Sequence, residues 1–188
     1  MHDPISARSK TFRLTADALF IALYVILSTY LSFKIPGTIQ ISISTLPTLL
    51  CAFLFGPADA VAVAVLGTFL EQVIDPSPYG FATLPLWLIP PAIMALIAGF
   101  GSRGVGKLTT KKSALIATIA VIVTAELTLT MLNLGTQYLD GYLMQYHVKA
   151  IQLLLPARLL NGCVRCILSS LLVLLLLPPL KHVLAKQN

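Results

Sequence analysis

The stretch ISTLPTLLCAFLFGP, residues 43–57, decides the architecture, because it is apolar and yet too short to cross a bilayer. As a helix, the segment Ile43–Phe55 would measure about 20 Å, whereas the hydrocarbon core is about 30 Å thick. Pro47 interrupts it, and Gly56-Pro57 ends it. A short, broken helix is tolerated in a membrane only where protein or a cavity satisfies its free backbone groups. We therefore expect this segment to lie against a surrounding helical bundle.

The composition of the whole chain agrees with a membrane location. Of its 188 residues, 57% are hydrophobic and 11% are charged, and the mean hydropathy is +0.88. A soluble domain carries about a quarter charged residues, and a disordered chain is far less apolar. Both classes are therefore excluded. The sequence predicts an all-α membrane protein, a single domain over residues 1–188, with room for about six transmembrane helices.

Six apolar segments can be marked, separated by glycine and proline. They are Thr15–Phe33, Ile43–Phe55, Pro57–Ile74, Thr83–Phe100, Ser113–Leu134 and Leu153–Leu177, the last ended by Pro178-Pro179. Between the first two, residues 34–42 alternate polar and apolar side chains, which predicts an extended segment. Residues 135–152 are expected to form a long outer connection.

The basic residues are divided unequally between the two sides of the predicted membrane. With a cytoplasmic N-terminus and six crossings, the inner side holds Arg8, Lys10, Arg13, Arg103, Lys107, Lys111, Lys112, Lys181 and Lys186, and the outer side holds Lys34 and Lys149. This asymmetry predicts that both termini are cytoplasmic and that residues 1–14 form a basic cytoplasmic segment. The net charge of +6 then reflects topology and not a nucleic-acid partner.

Two of the segments contain polar residues, although inserting a charged side chain into a membrane costs about 2.5–3.5 kcal/mol of free energy. Arg158, Asn161 and Arg165 share one face of the sixth segment, and Glu126, Thr130 and Asn133 share one face of the fifth. Such residues usually mark a functional site or a buried pair.

Two interpretations of these polar faces remain open. In one, Glu126 and Arg165 pair across adjacent helices and set their register. In the other, Arg158, Asn161 and Asn133 point into an outward pocket and bind an anionic ligand, because a guanidinium can donate two parallel hydrogen bonds to a carboxylate. Arg158 is the better candidate for the ligand and Arg165 for the fold.

Further candidate ligand residues lie at the outer ends of the other segments. Glu71 and Gln72 end the third segment, where Glu71 either accepts hydrogen bonds from an amino-substituted heterocycle or reaches interfacial water. Trp87 either stacks on an aromatic ligand or belongs to the interfacial aromatic belt. Gln40 and Tyr79 are candidates from the first two outer connections.

Other reactive residue types have ordinary explanations. Cys51, Cys163 and Cys166 all fall in apolar stretches, which favours packing over a disulfide or a metal site. Asp17 and Asp59 are expected to cap helix starts at the inner side. The chain contains no nucleotide-binding or metalloprotease motif, and its three histidines do not form a catalytic set. We therefore expect no enzyme activity, no cofactor and no metal.

Several motifs together resemble those of a known family. Ala18 and Ala22 form an Ala-x-x-x-Ala pattern that lets another helix approach closely. Leu46-Pro47 leads through Leu54-Phe55-Gly56-Pro57 into a helix rich in small residues, followed by Gly67 to Glu71 and by Leu86-Trp87. The chain resembles the substrate-binding membrane subunits (S components) of energy-coupling factor (ECF) vitamin transporters, and most closely the folate family.

The resemblance implies a bacterial plasma-membrane protein that binds a vitamin from outside, in a pocket capped by the first outer loop. It also implies docking through Ala18 and Ala22 onto a transmembrane coupling subunit, which two cytoplasmic ATPases drive, and delivery of the vitamin by toppling in the membrane. Folate is the expected ligand. The related S components for pantothenate, riboflavin, pyridoxine or cobalamin are alternatives.

Two other classes of function are compatible with the residues alone. A stand-alone ion- or proton-coupled transporter would need a deep acidic residue with a free partner, and Glu126 is the candidate. A scaffold or assembly subunit would bind no small molecule tightly.

Overall fold

Six α-helices and one β-hairpin make up the part of the chain that the computed structural model describes, which is residues 10–35, 39–75, 82–145 and 148–186. Five of the helices are long and apolar enough to cross a membrane. In chain order the elements are α1 Lys10–Thr29, β1 Phe33–Ile35, β2 Ile39–Ile41, α2 Thr45–Leu54, α3 Pro57–Ile74, α4 Leu84–Val105, α5 Lys111–Leu143 and α6 Val148–Lys186.

The helix α2 forms the centre of the bundle. All ten of its residues are buried, and it packs against α1, α3, α4 and α6. Around it, α1 packs on α3, α3 on α4, α4 on α5, and α5 on α6. The prediction that this short helix lies against the bundle is confirmed, because a segment of about 15 Å can satisfy its ends only inside protein.

The helices α1, α2 and α3 alternate in direction along the bundle. Arg13 on α1 pairs with Asp59 on α3, and the Tyr24 hydroxyl lies 3.0 Å from that of Thr68. Because both pairs join α1 to α3 at nearly the same sequence offset, these two helices are parallel, and α2 must connect opposite ends of the bundle. We call the end with the Gly56-Pro57 turn the inner end and the end with the hairpin the outer end.

The two ends of the described chain lie at the same end of the bundle. Phe12 from the start of α1 and Leu184 from the end of α6 line one apolar groove with a volume of about 380 Å³. The chain therefore traverses the bundle an even number of times, with α2 as one of the traverses. Crossing of the membrane by all six helices, with both termini in the cytoplasm, remains a prediction.

A β-hairpin replaces the expected extended segment. Strands β1 and β2 pair antiparallel, with Phe33 opposite Ile41 and Lys34 opposite Gln40. The alternating pattern correctly indicated extended backbone, and the fold is helical with this one hairpin among the described residues. The first helix consequently ends at Thr29, before the predicted Phe33, and it begins at Lys10, inside the predicted N-terminal basic segment.

The predictions for the last two helices were wrong in length. Helix α5 continues through Gly135 and Gly141 to Leu143, and α6 begins at Val148 and continues through Pro178-Pro179 to Lys186. Most of the expected outer connection 135–152 is therefore helical. Glycine and proline do not end these helices, because in an apolar environment the helix satisfies the backbone groups that a loop would leave free.

Candidate functional site

The fully buried carboxylate of Glu126 joins three helices at mid-depth. Its Oε1 accepts hydrogen bonds from Thr45 Oγ1 of α2, at 2.6 Å, and from Ser169 Oγ of α6, at 3.0 Å. Its Oε2 lies 2.7 Å from Nε of Arg165. The interpretation in which Glu126 and Arg165 pair across adjacent helices is confirmed. A charge buried in this way must be paired and hydrogen-bonded, and here both conditions are met.

Arg165 is held by a second helix contact as well. Its Nη2 donates to Thr130 Oγ1 at 3.1 Å, and that hydroxyl donates in turn to the Glu126 carbonyl at 2.9 Å. The helices approach closely at this level because residue 162 is glycine. A Cβ there would lie 2.7 Å from Cγ2 of Thr130. The Arg165 guanidinium is thus engaged within the protein, which suits a structural role.

Sequence reasoning missed two members of this cluster. Ser169 follows Arg165 by four residues, so helical spacing placed it on the same face, and that signal could have been used. No sequence signal points to Thr45, because its contact with Glu126 depends on the central position of α2. We call the residues Thr45, Glu126, Thr130, Arg165 and Ser169 the buried anchor.

Arg158 lies seven residues nearer the outer end than Arg165, and its environment is different. The side chain is half-buried, and its Nε is buried without a hydrogen-bond partner among the described residues. A buried polar group left unpaired costs about 1–3 kcal/mol. The Nε donor of Arg158 is therefore available for a group that the described residues do not supply.

Other unpaired buried polar atoms accumulate at the same end of the bundle. At this end Thr83 before α4 is 4% exposed and Asp140 on α5 is 6% exposed, and Thr48, one turn deeper along α2 than Thr45, is 0% exposed. Within the described part of the chain, Oγ1 of both Thr48 and Thr83 and Oδ1 of Asp140 have no hydrogen-bond partner, and the same holds for Oε1 of Gln137. Buried polar atoms in native proteins are nearly always paired, so such a group calls for water or a ligand.

The predicted ligand residues are distributed around the outer half of the bundle. Asn133 and Asn161 are half-buried on the packed helices α5 and α6, together with Arg158. Glu71 and Gln72 are half-buried near the end of α3, and Trp87 is half-buried in the first turn of α4. Because α4 packs on both α3 and α5, the α3–α4 group and the α5–α6 group are adjacent around α2.

Two predicted ligand residues cannot be assessed in the same way. The backbone of Gln40 pairs with Lys34 in the hairpin, and its side chain lies outside the described part. Tyr79 lies outside the described residues altogether.

The Ala-x-x-x-Ala face of α1 is open. Ala18 and Ala22 are both exposed, and Leu14 and Leu19 beside them are 72% and 68% exposed. Leu19 also lines the apolar groove between α1 and α6. Small residues flanked by leucines allow close approach of another helix.

The acidic residues of the inner end do not cap helices as expected. The N-cap of α3 is Gly56, while Asp59 pairs with Arg13, whose Nε lies 2.9 Å away. Asp17 lies within α1 and accepts a hydrogen bond from Cys51 Sγ at 3.7 Å. Cys51 and Cys166 are buried and Cys163 is exposed, and all three are free thiols. The burial of Cys51 and Cys166 agrees with the packing prediction, which the exposed Cys163 does not meet. The capping prediction was wrong, because Asp17 lies inside α1 and Asp59 lies within the first turn of α3.

The fold and its polar outer end define the class of protein: a polytopic helical membrane protein with a candidate site for a polar small molecule. The family model for the substrate-specific component of ECF transporters matches residues 12–177. The chain therefore belongs to that family, which consists of substrate-binding transporter components and not of enzymes. Multi-pass membrane embedding, already indicated by the five span-length helices, follows from this membership.

A solved structure supports the fold independently. The S component of a bacterial ECF transporter matches 92% of this chain and 99% of its own, with a TM-score of 0.64 and 21% sequence identity. At this identity the likeness concerns the fold alone. No curated protein matches the sequence.

Proposed function

We propose that the protein is the vitamin-binding S component of an ECF importer in the bacterial plasma membrane, and that it binds folate at the outer end of its bundle. The observation that carries this proposal is Arg158, a membrane-embedded cation whose buried Nε has no partner in the described chain. A cation placed there, without a counter-ion in the described protein, suits an anionic ligand.

Folate is favoured because its two ends match two kinds of group on the protein. Its carboxylates suit Arg158, with Asn133 and Asn161 nearby as additional hydrogen-bonding groups. Its flat heterocycle suits Trp87, Tyr79 and Glu71, the first two by stacking and the last as an acceptor. Gln72 and Gln40 complete the proposed set of ligand residues. Pantothenate, riboflavin, pyridoxine and cobalamin are the alternatives that belong to the same class of function.

Transport by this protein would depend on partners. In the proposal, the exposed face with Ala18 and Ala22 docks on the transmembrane coupling subunit, and two cytoplasmic ATPases drive delivery of the vitamin. A stand-alone ion-coupled transporter is less well supported, because its candidate proton carrier, Glu126, is already engaged by Arg165, Thr45 and Ser169.

The proposal is tested with purified protein in detergent. Mass spectrometry of the co-purified small molecule identifies the vitamin, and isothermal titration calorimetry measures its affinity. We expect folate to bind and Arg158→Ala to weaken binding at least tenfold. The matched control is Arg103→Ala, which removes an inner-end arginine and leaves the affinity unchanged. Unchanged affinity in Arg158→Ala would show that the assigned carboxylate contact is wrong.

A further inference from the structure

Two neighbouring acceptors on α5 are left unused by the rest of the described protein. Oδ1 of Asp140 and Oε1 of Gln137 are buried and accept no hydrogen bond from the described residues, and Asp140 is 6% exposed. The two residues are three apart, so they share a helix face. A carboxylate oxygen buried near a membrane without a donor is costly, and donors from outside the described chain would remove that cost.

The register between α5 and α6 fixes where these acceptors lie relative to Arg158. Thr130 on α5 accepts a hydrogen bond from Arg165 on α6 and lies opposite Gly162, where an added Cβ would be 2.7 Å from Cγ2 of Thr130. Since the helices are antiparallel, Arg158 lies at the level of Leu134, and Asp140 is a further six residues toward the outer end. At 1.5 Å per residue, this offset is about 9 Å.

The unpaired donor and the unpaired acceptors therefore lie at different heights along the interface between α5 and α6. The unpaired atom of Arg158 can only donate, whereas the unpaired atoms of Asp140 and Gln137 accept. A ligand that satisfies both ends must carry an anionic group at one end and N–H or O–H donors about 9 Å or more away. A ligand with only one of these features leaves a buried group on the protein unpaired.

We propose that Asp140, assisted by Gln137, is a specificity-determining residue that accepts hydrogen bonds from the distant N–H or O–H donors of an elongated anionic ligand whose anion is held by Arg158. This inference rests on the proposed function and narrows its substrate class. Folate and pantothenate carry both an anion and distant donors. Riboflavin and pyridoxine carry no net negative charge at neutral pH and fall outside the class.

The first arm of the test is a panel of these four vitamins, titrated calorimetrically into the purified wild-type chain. Tight binding of folate or pantothenate is expected. Tight binding of riboflavin or pyridoxine would overturn the inference and leave the S-component function standing. Failure of all four, and of cobalamin titrated in the same way, to bind would overturn the proposed function itself, and the inference with it.

The second arm separates recognition from a structural role. Asp140→Asn keeps the size of the side chain and exchanges an acceptor for a donor, so we expect at least a tenfold loss of affinity for folate. Affinity for p-aminobenzoylglutamate, which has the carboxylates of folate but not its pterin, should be unchanged. Arg158→Gln should weaken both. If pantothenate is the ligand, the same tenfold loss is expected, with an unchanged melting temperature of the ligand-free variant.

Asp59→Asn is the control, since it makes the same exchange at the inner end, far from the proposed site, and should leave both affinities unchanged. A buried water is the competing explanation for the unpaired acceptors. In that case Asp140→Asn would change neither affinity, or both by the same factor, and the inference would be wrong.

Discussion

Nε of Arg165 lies 2.7 Å from Oε2 of Glu126, at a point where the carboxylate is wholly buried. This contact ties α6 to α5, and the hydrogen bond from Thr45 ties the first residue of α2 to the same carboxylate. Thr45 follows the hairpin by only a few residues, so the buried anchor also fixes where the hairpin joins the bundle.

We expect Glu126→Leu alone to be more damaging than the double variant Glu126→Leu/Arg165→Met. The single change leaves the Arg165 charge buried without its partner, which costs about 3–5 kcal/mol. The double change removes that charge and leaves only the neutral hydroxyls of Thr45 and Ser169 without their acceptor, which costs less. Melting temperatures in detergent, with Leu127→Ala as an exposed control on α5, measure the difference. Equal destabilisation by the single and double variants would contradict the charge-pair explanation.

Gly162→Ala should force α5 and α6 apart. The new Cβ would lie 2.7 Å from Cγ2 and 2.8 Å from Oγ1 of Thr130, and overpacking of this kind costs about 1–3 kcal/mol. Gly135→Ala is the matched control on α5, because nothing lies within 4 Å of a Cβ there. We expect a lower melting temperature for the first variant and an equal or higher one for the second. The reverse order would show that the interface between α5 and α6 is not tightly packed at Gly162.

Gly67→Ala should destabilise the α1–α3 contact, because its Cβ would lie 2.7 Å from the Tyr24 ring. Tyr24→Phe removes only the buried hydroxyl bonded to Thr68, so a loss of about 1 kcal/mol is expected. Thermal unfolding of the two variants should rank Gly67→Ala as clearly more destabilised. A Tyr24→Phe variant as unstable as Gly67→Ala would mean that the hydrogen bond, and not packing, holds these helices together.

Ala18→Trp should abolish vitamin uptake in cells that express the coupling subunit and both ATPases. The large side chain blocks close approach of a partner helix at an exposed position, so binding of the vitamin to the purified variant should be unchanged. Ile116→Trp is the control, since Ile116 is 68% exposed on α5, away from the proposed docking face. Loss of binding in Ala18→Trp would assign a structural role to this face.

The existence of the helices could be predicted from the sequence, but the lengths of α5 and α6 could not. Pro57–Ile74 was predicted with its observed boundaries, because Gly56-Pro57 and the residues after Asp75 are strong punctuation at both ends. The same residue types inside α5 and α6 did not end those helices. Glycine and proline act as terminators where water can satisfy the backbone, which does not hold in an apolar bundle.

The candidate site was predictable in part for a related reason. Arg158, Asn161 and Asn133 attract attention in a sequence because polar residues are rare in apolar segments. Asp140 and Gln137 were not identified as candidate ligand residues, because they lay in a stretch that was predicted to be a loop, where polar residues are common. Their burial became visible only once α5 was seen to extend to Leu143.

The sequence by itself determined that the chain is apolar enough for a membrane and that its apolar segments form helices. Both follow from composition and from the spacing of apolar residues, which are local properties. It also determined that Glu126 and Arg165 lie at comparable depth, since helical rise converts residue number into height. The tertiary structure alone decided which polar groups are paired. Partners such as Thr45 and Glu126 are 81 residues apart, and only the packing of α2 at the centre of the bundle brings them together.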